Sequence, residues 1–382
     1  MIRRLTIHNF KIHKDTELDL PSLTILTGMN GMGKSSVFQI MLALRDSVMK
    51  GFYPEQLNLQ GDSFLIGSAG SLVNWYVGEG EDPDKLKIGL ISDGGEKLDF
   101  TFIYNSEQPS ETFLKSKEGA QNPERTNLNN HPFFSKGRIQ YLSAFRDGPQ
   151  QIYVKNSSVV DDRREISEKL GKGEFAVYFL SRYGNEQVSD VSLLHDGPED
   201  EAKTIKEQVN KWLHEISPDL TVKLESTDDS NYKLKYSYRR EGMGNIDVDS
   251  YNTGYGITYI LSVILALLAS KKGDLILIEN PEAHIHPSAQ SALMRLISKA
   301  ASSGIQLILE THSDHIVNGA LVNFKKKVLS VSDLAIYFFD RENTSEPISI
   351  NSLKIGGDSR IKKAPANFFS QMNRDLDVLF GE

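Results

Sequence analysis

The chain of 382 residues contains no cysteine. That excludes disulfides, thiolate nucleophiles, and zinc or iron–sulfur sites built on cysteine. No apolar run reaches membrane-spanning length. The opening Met1-Ile2-Arg3-Arg4-Leu5-Thr6 enters a strand-like pattern without the apolar core of a signal peptide. These absences suit a cytoplasmic protein with no membrane partner. An excess of positive charge is also missing: 43 Lys and Arg against 51 Asp and Glu leave a net charge of −8. Such a balance argues against coating nucleic acid by bulk electrostatics, although a local basic groove stays open. The basic clusters are Arg3-Arg4, Arg163-Arg164, Arg239-Arg240 and Lys325-Lys326-Lys327. Each reads as solvated surface. No internal repeat or heptad seam is visible. What remains, 39% apolar and 25% charged residues, is an ordinary globular composition. The length fits two or three domains, or one core with insertions.

Against that background one segment carries chemistry. Gly28-Met29-Asn30-Gly31-Met32-Gly33-Lys34-Ser35 fits the phosphate-loop pattern G-x-x-x-x-G-K-[ST] and follows the apolar run Leu23-Thr24-Ile25-Leu26. Its glycines let backbone N–H groups turn inward around phosphate oxygens. Lys34 would reach the β- and γ-phosphates, and the Ser35 hydroxyl would ligate Mg²⁺. Val37, Ile40, Met41 and Leu44 recur at helical spacing, which sets the phosphates on a helix N-terminus, where the dipole favours anions.

Three short strands are expected before the loop, over 2–9, 15–19 and 23–27, and a helix after it, over 34–49. Strands follow from Phe64 to Tyr104, with a hairpin of 85–91 and 97–102 around Ser92-Asp93-Gly94-Gly95. Residues 105–136 read as a long exposed polar loop. Residues 161–181 and 199–216 read as helices. The alternation of Tyr232, Leu234, Tyr236 and Tyr238 with polar residues predicts a strand pairing with Val222-Lys223-Leu224. Its tyrosine face reads as core, with base stacking as the alternative. The last third alternates regularly: helix 257–270, strand 274–279, helix 287–302, strand 305–310, helix 314–322, strand 334–339.

Two strand ends in this region would complete a site. Leu275-Ile276-Leu277-Ile278 ends in Glu279-Asn280-Pro281-Glu282, where a phosphate-loop NTPase needs a carboxylate beside Mg²⁺. Glu279 suits that position; its structural alternative is an acid at a helix start. Ile305-Gln306-Leu307-Ile308-Leu309 ends in Glu310-Thr311-His312, and His312 sits where catalytic groups gather in parallel sheets. The polar segment Asn252-Thr253-Gly254-Tyr255-Gly256 opens a helix and offers a second anion-binding N-terminus.

In this order the pieces resemble an ABC-type ATPase head of the kind shared by SMC, RecF and OLD proteins. Asn9-Phe10-Lys11 with the Gly28–Ser36 loop is similar to the opening of that group. Asn252–Gly256 stands at the place of the signature loop, Glu279 to Pro287 at that of the Walker B segment, and Glu310-Thr311-His312-Ser313 at that of the switch-histidine loop. The tail Ile361 to Phe369 is similar to the end of small prokaryotic ATPases, several from phage-defence cassettes. The likeness covers 1–50 and 245–382 well and the middle weakly.

The resemblance implies an α/β fold with a mixed-sheet core, an antiparallel N-terminal β lobe and a helical/β insertion. The spans would be 1–104, 105–244 and 245–382. It implies ATP and Mg²⁺ as cofactors. Nucleotide contacts would come from Gly28, Asn30, Gly31, Gly33, Lys34, Ser35, Ser36 and Lys11, and across a homodimer from Asn252, Thr253, Gly254 and Gly256. Metal contacts would come from Ser35, Glu279 and, as the glutamine-loop residue, Gln60. Glu279, Asn280, Glu282 and His312 would carry catalysis.

The sequence departs from the family in several places. Asn280 stands where the general base is expected, and an amide does not accept a proton at neutral pH. Glu282 would take over, or turnover is slow and ATP acts as a clamp. Asn252 replaces the signature serine. With no Toprim nuclease signature and no inserted coiled coil, nucleic-acid chemistry would need a partner chain, an effector such as a nuclease or toxin. Two other classes compete. One is a nucleotide-gated scaffold with little hydrolysis. The other is a metal-dependent hydrolase using His284, His286, His312, His315 and Glu282.

Overall fold

The computed structural model describes residues 1–72, 76, 84–117, 122–124, 128, 131–240, 242, 244–343, 346–365, 367–369 and 378–379. Parts of the 64–104 and 105–136 segments, and Ala366 of the tail, lie outside the described residues.

An antiparallel sheet of β1 (Ile2–Phe10), β2 (His13–Asp19), β4 (Gln56–Asn58), β5 (Lys85–Ser92), β6 (Lys97–Ile103) and β7 (Phe113–Ser116) runs in the order β2-β1-β5-β6-β7-β4. The expected 85–103 hairpin is present, with Ile88 opposite Phe100. A second sheet is built from β3 (Leu23–Gly28), β8 (Ile139–Leu142), β13 (Leu275–Glu279), β14 (Gln306–Glu310), β15 (Leu334–Asp340) and β16 (Ser349–Ser352), ordered β16-β15-β3-β14-β13-β8. All of its pairs are parallel except β15 with β16. Its inner strands are near-continuous apolar runs, as strands covered on both faces must be.

Helix α1 (Lys34–Lys50) lies between the two sheets. Its Val37, Phe38, Ile40, Met41 and Leu44 share one core with Leu5 and Ile7 of β1 and with Leu277 and Ile308 of the central sheet. The opposite face of the central sheet is covered by α5 (Tyr255–Ala269), α6 (Pro287–Ser302) and α7 (Asp314–Lys325), together with α2 (Ser157–Val160), α3 (Ala176–Tyr183) and α4 (Ile205–Ile216). A small third sheet orders β10 (Leu220–Ser226), β11 (Asn231–Arg240) and β12 (Gly244–Asp249), and β9 (Tyr153–Val154) also pairs with β11. Val222 stands opposite Tyr236. The tyrosine face is core: Tyr236 is fully buried and shares a hydrogen bond with Thr258 of α5 (2.9 Å).

Side chains join the two large sheets: the Tyr337 hydroxyl of β15 bonds the main chain of Asp19 in β2, and Gln306 makes a second link. Gln306, buried at the start of β14, accepts from Ile2 N (3.0 Å) and donates to the carbonyls of Ile2 (2.6 Å) and Leu20 (2.8 Å).

Three sequence expectations are corrected. The 105–136 segment is not simply an exposed loop: β7 pairs with β4 and β6, and Phe133 and Phe134 are buried beside Phe100. Their apolar area outweighs the polar composition around them. Residues 161–175 are not helical. Arg164, Leu170, Gly171 and Gly173 take left-handed φ values, and Glu174 accepts Ser167 Oγ and the N–H groups of Glu168 and Lys169, which fixes a turn instead. Lastly, the span read as an insertion, 105–244, contributes β8 to the central sheet.

Of the basic clusters, Arg3 pairs with Asp93, Arg4 with Glu17 and Asp19, Arg163 with Glu168, and Arg164 with Glu186. These arginines are therefore neutralised on the surface.

Candidate functional site

The phosphate loop leaves β3 at Gly28. That residue sits at φ 132°, and a Cβ there would lie 2.1 Å from the Phe339 carbonyl oxygen of β15. Gly31 (φ 75°) and Gly33 (φ 83°) complete the turn, and Gly33 caps α1 without a side-chain partner. The first N–H groups of α1 are thus left to a ligand. Lys34 is 3% exposed, and its Nζ donates to the carbonyls of Gly28 (3.1 Å) and Met29 (2.7 Å). Burial lowers its pKa, against the pull of Glu310. Met29, Asn30 and Gly31 are exposed at the rim, Ser35 is half-buried and Ser36 buried.

A buried histidine that sequence reading did not single out supports this loop. His13 lies within 2.9 Å of the Gly33 carbonyl through Nε2 and of Thr16 Oγ1 through Nδ1. With Nε2–H donating to Gly33, Nδ1 accepts the Thr16 hydroxyl, which requires a neutral ring. Burial lowers its pKa to about 4. The folded state therefore disfavours the imidazolium. This contribution is whole above pH 6.5 and disappears as pH falls from 6.5 to about 4; at 1.36 kcal/mol per pH unit it amounts to roughly 3 kcal/mol. We expect urea midpoints to fall over that interval in the wild type and to fall measurably less in His13→Gln. Equal declines would disprove the assignment.

Lys11 follows Phe10 in a strained turn, with Asn9 at φ 58° and Lys11 at φ 52°. Its Nζ donates to Gln39 of α1 (2.6 Å), beside the loop. Gln60 is not brought there. Its neighbour Asn58 donates from N–H to Ser47 Oγ (2.8 Å), and Ser47 lies about 18 Å along α1 from Ser35. Gln60 itself forms an antiparallel bridge with Leu65.

The carboxylates gather at the strand ends. β14 lies between β3 and β13, so Glu310 stands beside Leu26 on one side and in register with Glu279 on the other. Glu279 accepts Tyr141 Oη (2.9 Å) and Ala144 N (3.1 Å), and burial raises its pKa. Glu310, 7% exposed, is within hydrogen-bonding reach of the Ser35 hydroxyl, and its Oε2 has no partner. Burial, then the neighbouring Glu279, pushes its pKa to about 7, while Ser35 and Lys34 oppose the shift. Glu282 accepts His312 N (3.0 Å), its Oε2 is also buried without a partner, and burial raises its pKa. Asn280 adopts φ 43° and buries an unpartnered Oδ1. The His312 ring is within reach of the Gly28 main chain, and burial with Lys34 lowers its pKa.

Sequence reading passed over Glu310. The signal was there: 275–279 and 306–310 are the same motif, four residues of mostly apolar strand closing on Glu. It also passed over Arg146, for which no local signal exists. Arg146 is 2% exposed and donates to the carbonyls of Ser143 (2.7 Å), Glu279 (2.7 Å) and Asn280 (2.8 Å). Its guanidinium lies 4.0 Å from the centre of the Tyr259 ring of α5, a cation–π geometry.

The segment 252–256 lies at the start of α5. Asn252 and Gly254 are exposed, Thr253 Oγ1 donates to the Ser250 carbonyl (2.6 Å), and Gly254 caps the helix without a side-chain bond. A Cβ on Gly256 would lie 2.2 Å from the His284 carbonyl oxygen, so only glycine lets the two loops meet.

The structure separates the histidines of the metal-hydrolase alternative. His284 packs edge-on against Tyr255 (4.8 Å) and Tyr259 (5.2 Å). His286 instead caps α6, accepting from Ser288 N. Among the described residues no three His, Asp or Glu side chains are grouped to hold a metal by themselves. A cation at Ser35 and the paired carboxylates would need a nucleotide's phosphates to complete its shell. The residues present fit such an ion: Glu279 and Glu310 stand in register at adjacent strand ends, and a buried carboxylate oxygen is left without a donor.

Residues 23–318 match the family described as "AAA domain, putative AbiEii toxin, Type IV TA system". The chain belongs to this family. It is 25% identical over 340 residues to the Old nuclease of Escherichia phage P2, covering 81% of this chain and 56% of that protein. It is likewise 25% identical over 334 residues to the OLD nuclease of Thermus scotoductus, covering 82% and 59%. The chain thus spans under three-fifths of the length of these relatives. In fold it is similar to the Smc head domain bound to the C-terminal domain of ScpA from Pyrococcus furiosus, with a TM-score of 0.52 at 13% identity, covering 100% of this chain and 98% of that one. Together these place the AAA-domain chain in the ABC-type ATPase group of SMC, RecF and OLD proteins. In the central sheet β14 separates the phosphate-loop strand from the strand bearing Glu279. Among the described residues no helix is long and apolar enough to cross a membrane.

Proposed function

We propose that the protein binds ATP with Mg²⁺ at the phosphate loop, hydrolyses it slowly within a homodimer, and uses the two nucleotide states to gate a partner effector in phage defence. The observation that carries this is the convergence of Ser35 and Lys34 with three buried carboxylates, Glu279, Glu282 and Glu310, at two adjacent strand ends. Their raised pKa values reflect negative charge held out of water, the electrostatic state that a phosphate-bound cation relieves.

On this reading the loop N–H groups bind the phosphates, and Lys34 exchanges the Gly28 and Met29 carbonyls for phosphate oxygens. Mg²⁺, when bound beside Ser35, would offset charge on the β- and γ-phosphates. Glu282 takes the proton of the attacking water, His312 contacts the γ-phosphate, and the Asn280 amide orients the water. Asn252–Gly256 of a second copy closes the site, its helix N-terminus supplying N–H groups. Exposed Phe145 (80%), Met29 (50%), Tyr251 (48%) and Tyr255 (47%) support a covered face there. The defence role rests on the relatives, which are named nucleases.

Phosphate release from the purified chain, with Lys34→Ala beside it, tests the site. Wild type should release phosphate, and the variant should lose roughly 10²-fold or more, as when a group stabilising transition-state charge is removed. Release that Lys34→Ala leaves unchanged would end the assignment.

A further inference from the structure

In this group the acid closing the strand of Glu279 is the expected partner of the metal. The geometry points to a different residue: we infer that Glu310, together with Ser35, is the protein carboxylate that holds the nucleotide-bound divalent cation, and that Glu279 is a structural acid. The inference rests on the nucleotide reading above and assigns one of its sites.

Three observations separate the two acids. Glu279 has both oxygens committed, to Tyr141 Oη and Ala144 N, and its own carbonyl is held by Arg146. Turning it toward a cation would break one of these part-buried hydrogen bonds and leave a donor unpaired. Glu310 has the opposite balance. It faces the Ser35 hydroxyl, the loop's metal-ligating group, and keeps one buried oxygen with no partner. A carboxylate oxygen shut away from water without a donor is costly unless a proton or a cation completes it, and a cation bound at Ser35 would displace the proton. The third observation is topological. Because β14 is the strand next to β3, Glu310 lies one strand spacing nearer the loop than Glu279, about 4.8 Å. The side chains of register partners in a parallel sheet point to the same face, so both acids face α1, and Glu310 is the one beneath its start.

The test uses the purified full chain, ATP, and Mn²⁺ as the probe, with free Mn²⁺ followed by electron paramagnetic resonance. ATP affinity without metal is measured in parallel. Wild type should take up Mn²⁺ only when ATP is present. In Glu310→Gln, Mn²⁺ affinity of the ATP complex should fall roughly 10–100-fold, the range for disturbing a metal's protein partners, while metal-free ATP affinity changes little. Glu279→Gln should hold Mn²⁺ within a few-fold of wild type. Glu310→Asp, which restores the charge, should recover part of the loss; it is the informative variant if Gln impairs folding. A larger Mn²⁺ loss in Glu279→Gln than in Glu310→Gln, or equal losses in both, overturns the assignment. Metal-free ATP affinity in wild type that Lys34→Ala does not weaken overturns instead the nucleotide reading beneath it.

Discussion

Glu282→Gln should stop phosphate release while leaving ATP bound. The amide keeps an oxygen for His312 N–H, so the contact between the β13 and β14 loops survives. On the proposed mechanism, what it removes is the proton acceptor. Losing a general base costs about 10²–10⁴-fold in rate, and the slow turnover expected with Asn280 in the usual base position should fall toward background. Burial raises the Glu282 pKa, so in the wild type the carboxylate fraction, and with it the rate, should decline on the acid side at a higher pH than an ordinary glutamate would give. Single-turnover release together with equilibrium ATP binding separates chemistry from affinity. Turnover at the wild-type rate in Glu282→Gln would remove this residue from the mechanism.

Gly28→Ala should have the largest effect on stability of any single methyl group added in the loop. The new Cβ would meet main chain, 2.1 Å from the Phe339 oxygen and 2.7 Å from its nitrogen, and main chain within a paired sheet cannot swing aside. The φ of 132° is itself unfavourable for alanine. Overpacking typically costs about 1–3 kcal/mol and a strained backbone position a similar amount, so a loss of roughly 2–5 kcal/mol is expected. Urea unfolding at constant m-value measures it. A loss below about 1 kcal/mol would show that β3 and β15 part readily here. Gly31→Ala is the contrast: a Cβ there meets nothing within 4 Å, so only the φ cost remains.

Much of the fold was legible because local pattern and tertiary burial agree. The inner strands 275–279 and 306–310, the 85–103 hairpin and helix α1 follow from apolar periodicity alone, and their ends are displaced by only a residue or two. Local pattern failed where distant residues decide. β8 is four residues long and exists because β13 offers it an edge; its sequence does not announce a strand. The 161–175 stretch has helical spacing, but Glu174 draws its backbone donors into a turn. The candidate site divides the same way. The phosphate loop is contiguous, so its position was readable, as were the positions of Glu279, Glu282 and His312 at or just past strand ends; their roles belong to the proposal. Glu310 was passed over because its importance depends on strand order, which separates β3 from β13 by β14. Gln60, taken as the glutamine-loop residue from the resemblance, follows a strand anchored at Ser47, well along the 17-residue helix from Ser35.

Arg146 ties together two places far from it in sequence, holding the carbonyls of Glu279 and Asn280 while its flat cation rests on Tyr259. Tyr259 belongs to the helix whose bare N-terminus would face a nucleotide carried by another copy. Tilting that helix must either slide the ring off the guanidinium or draw the guanidinium, and the acidic strand end bonded to it, along. One buried side chain thereby couples the two: on the proposed reading, a push on the outer end of the helix would reach the strand end that carries Glu279 and Asn280.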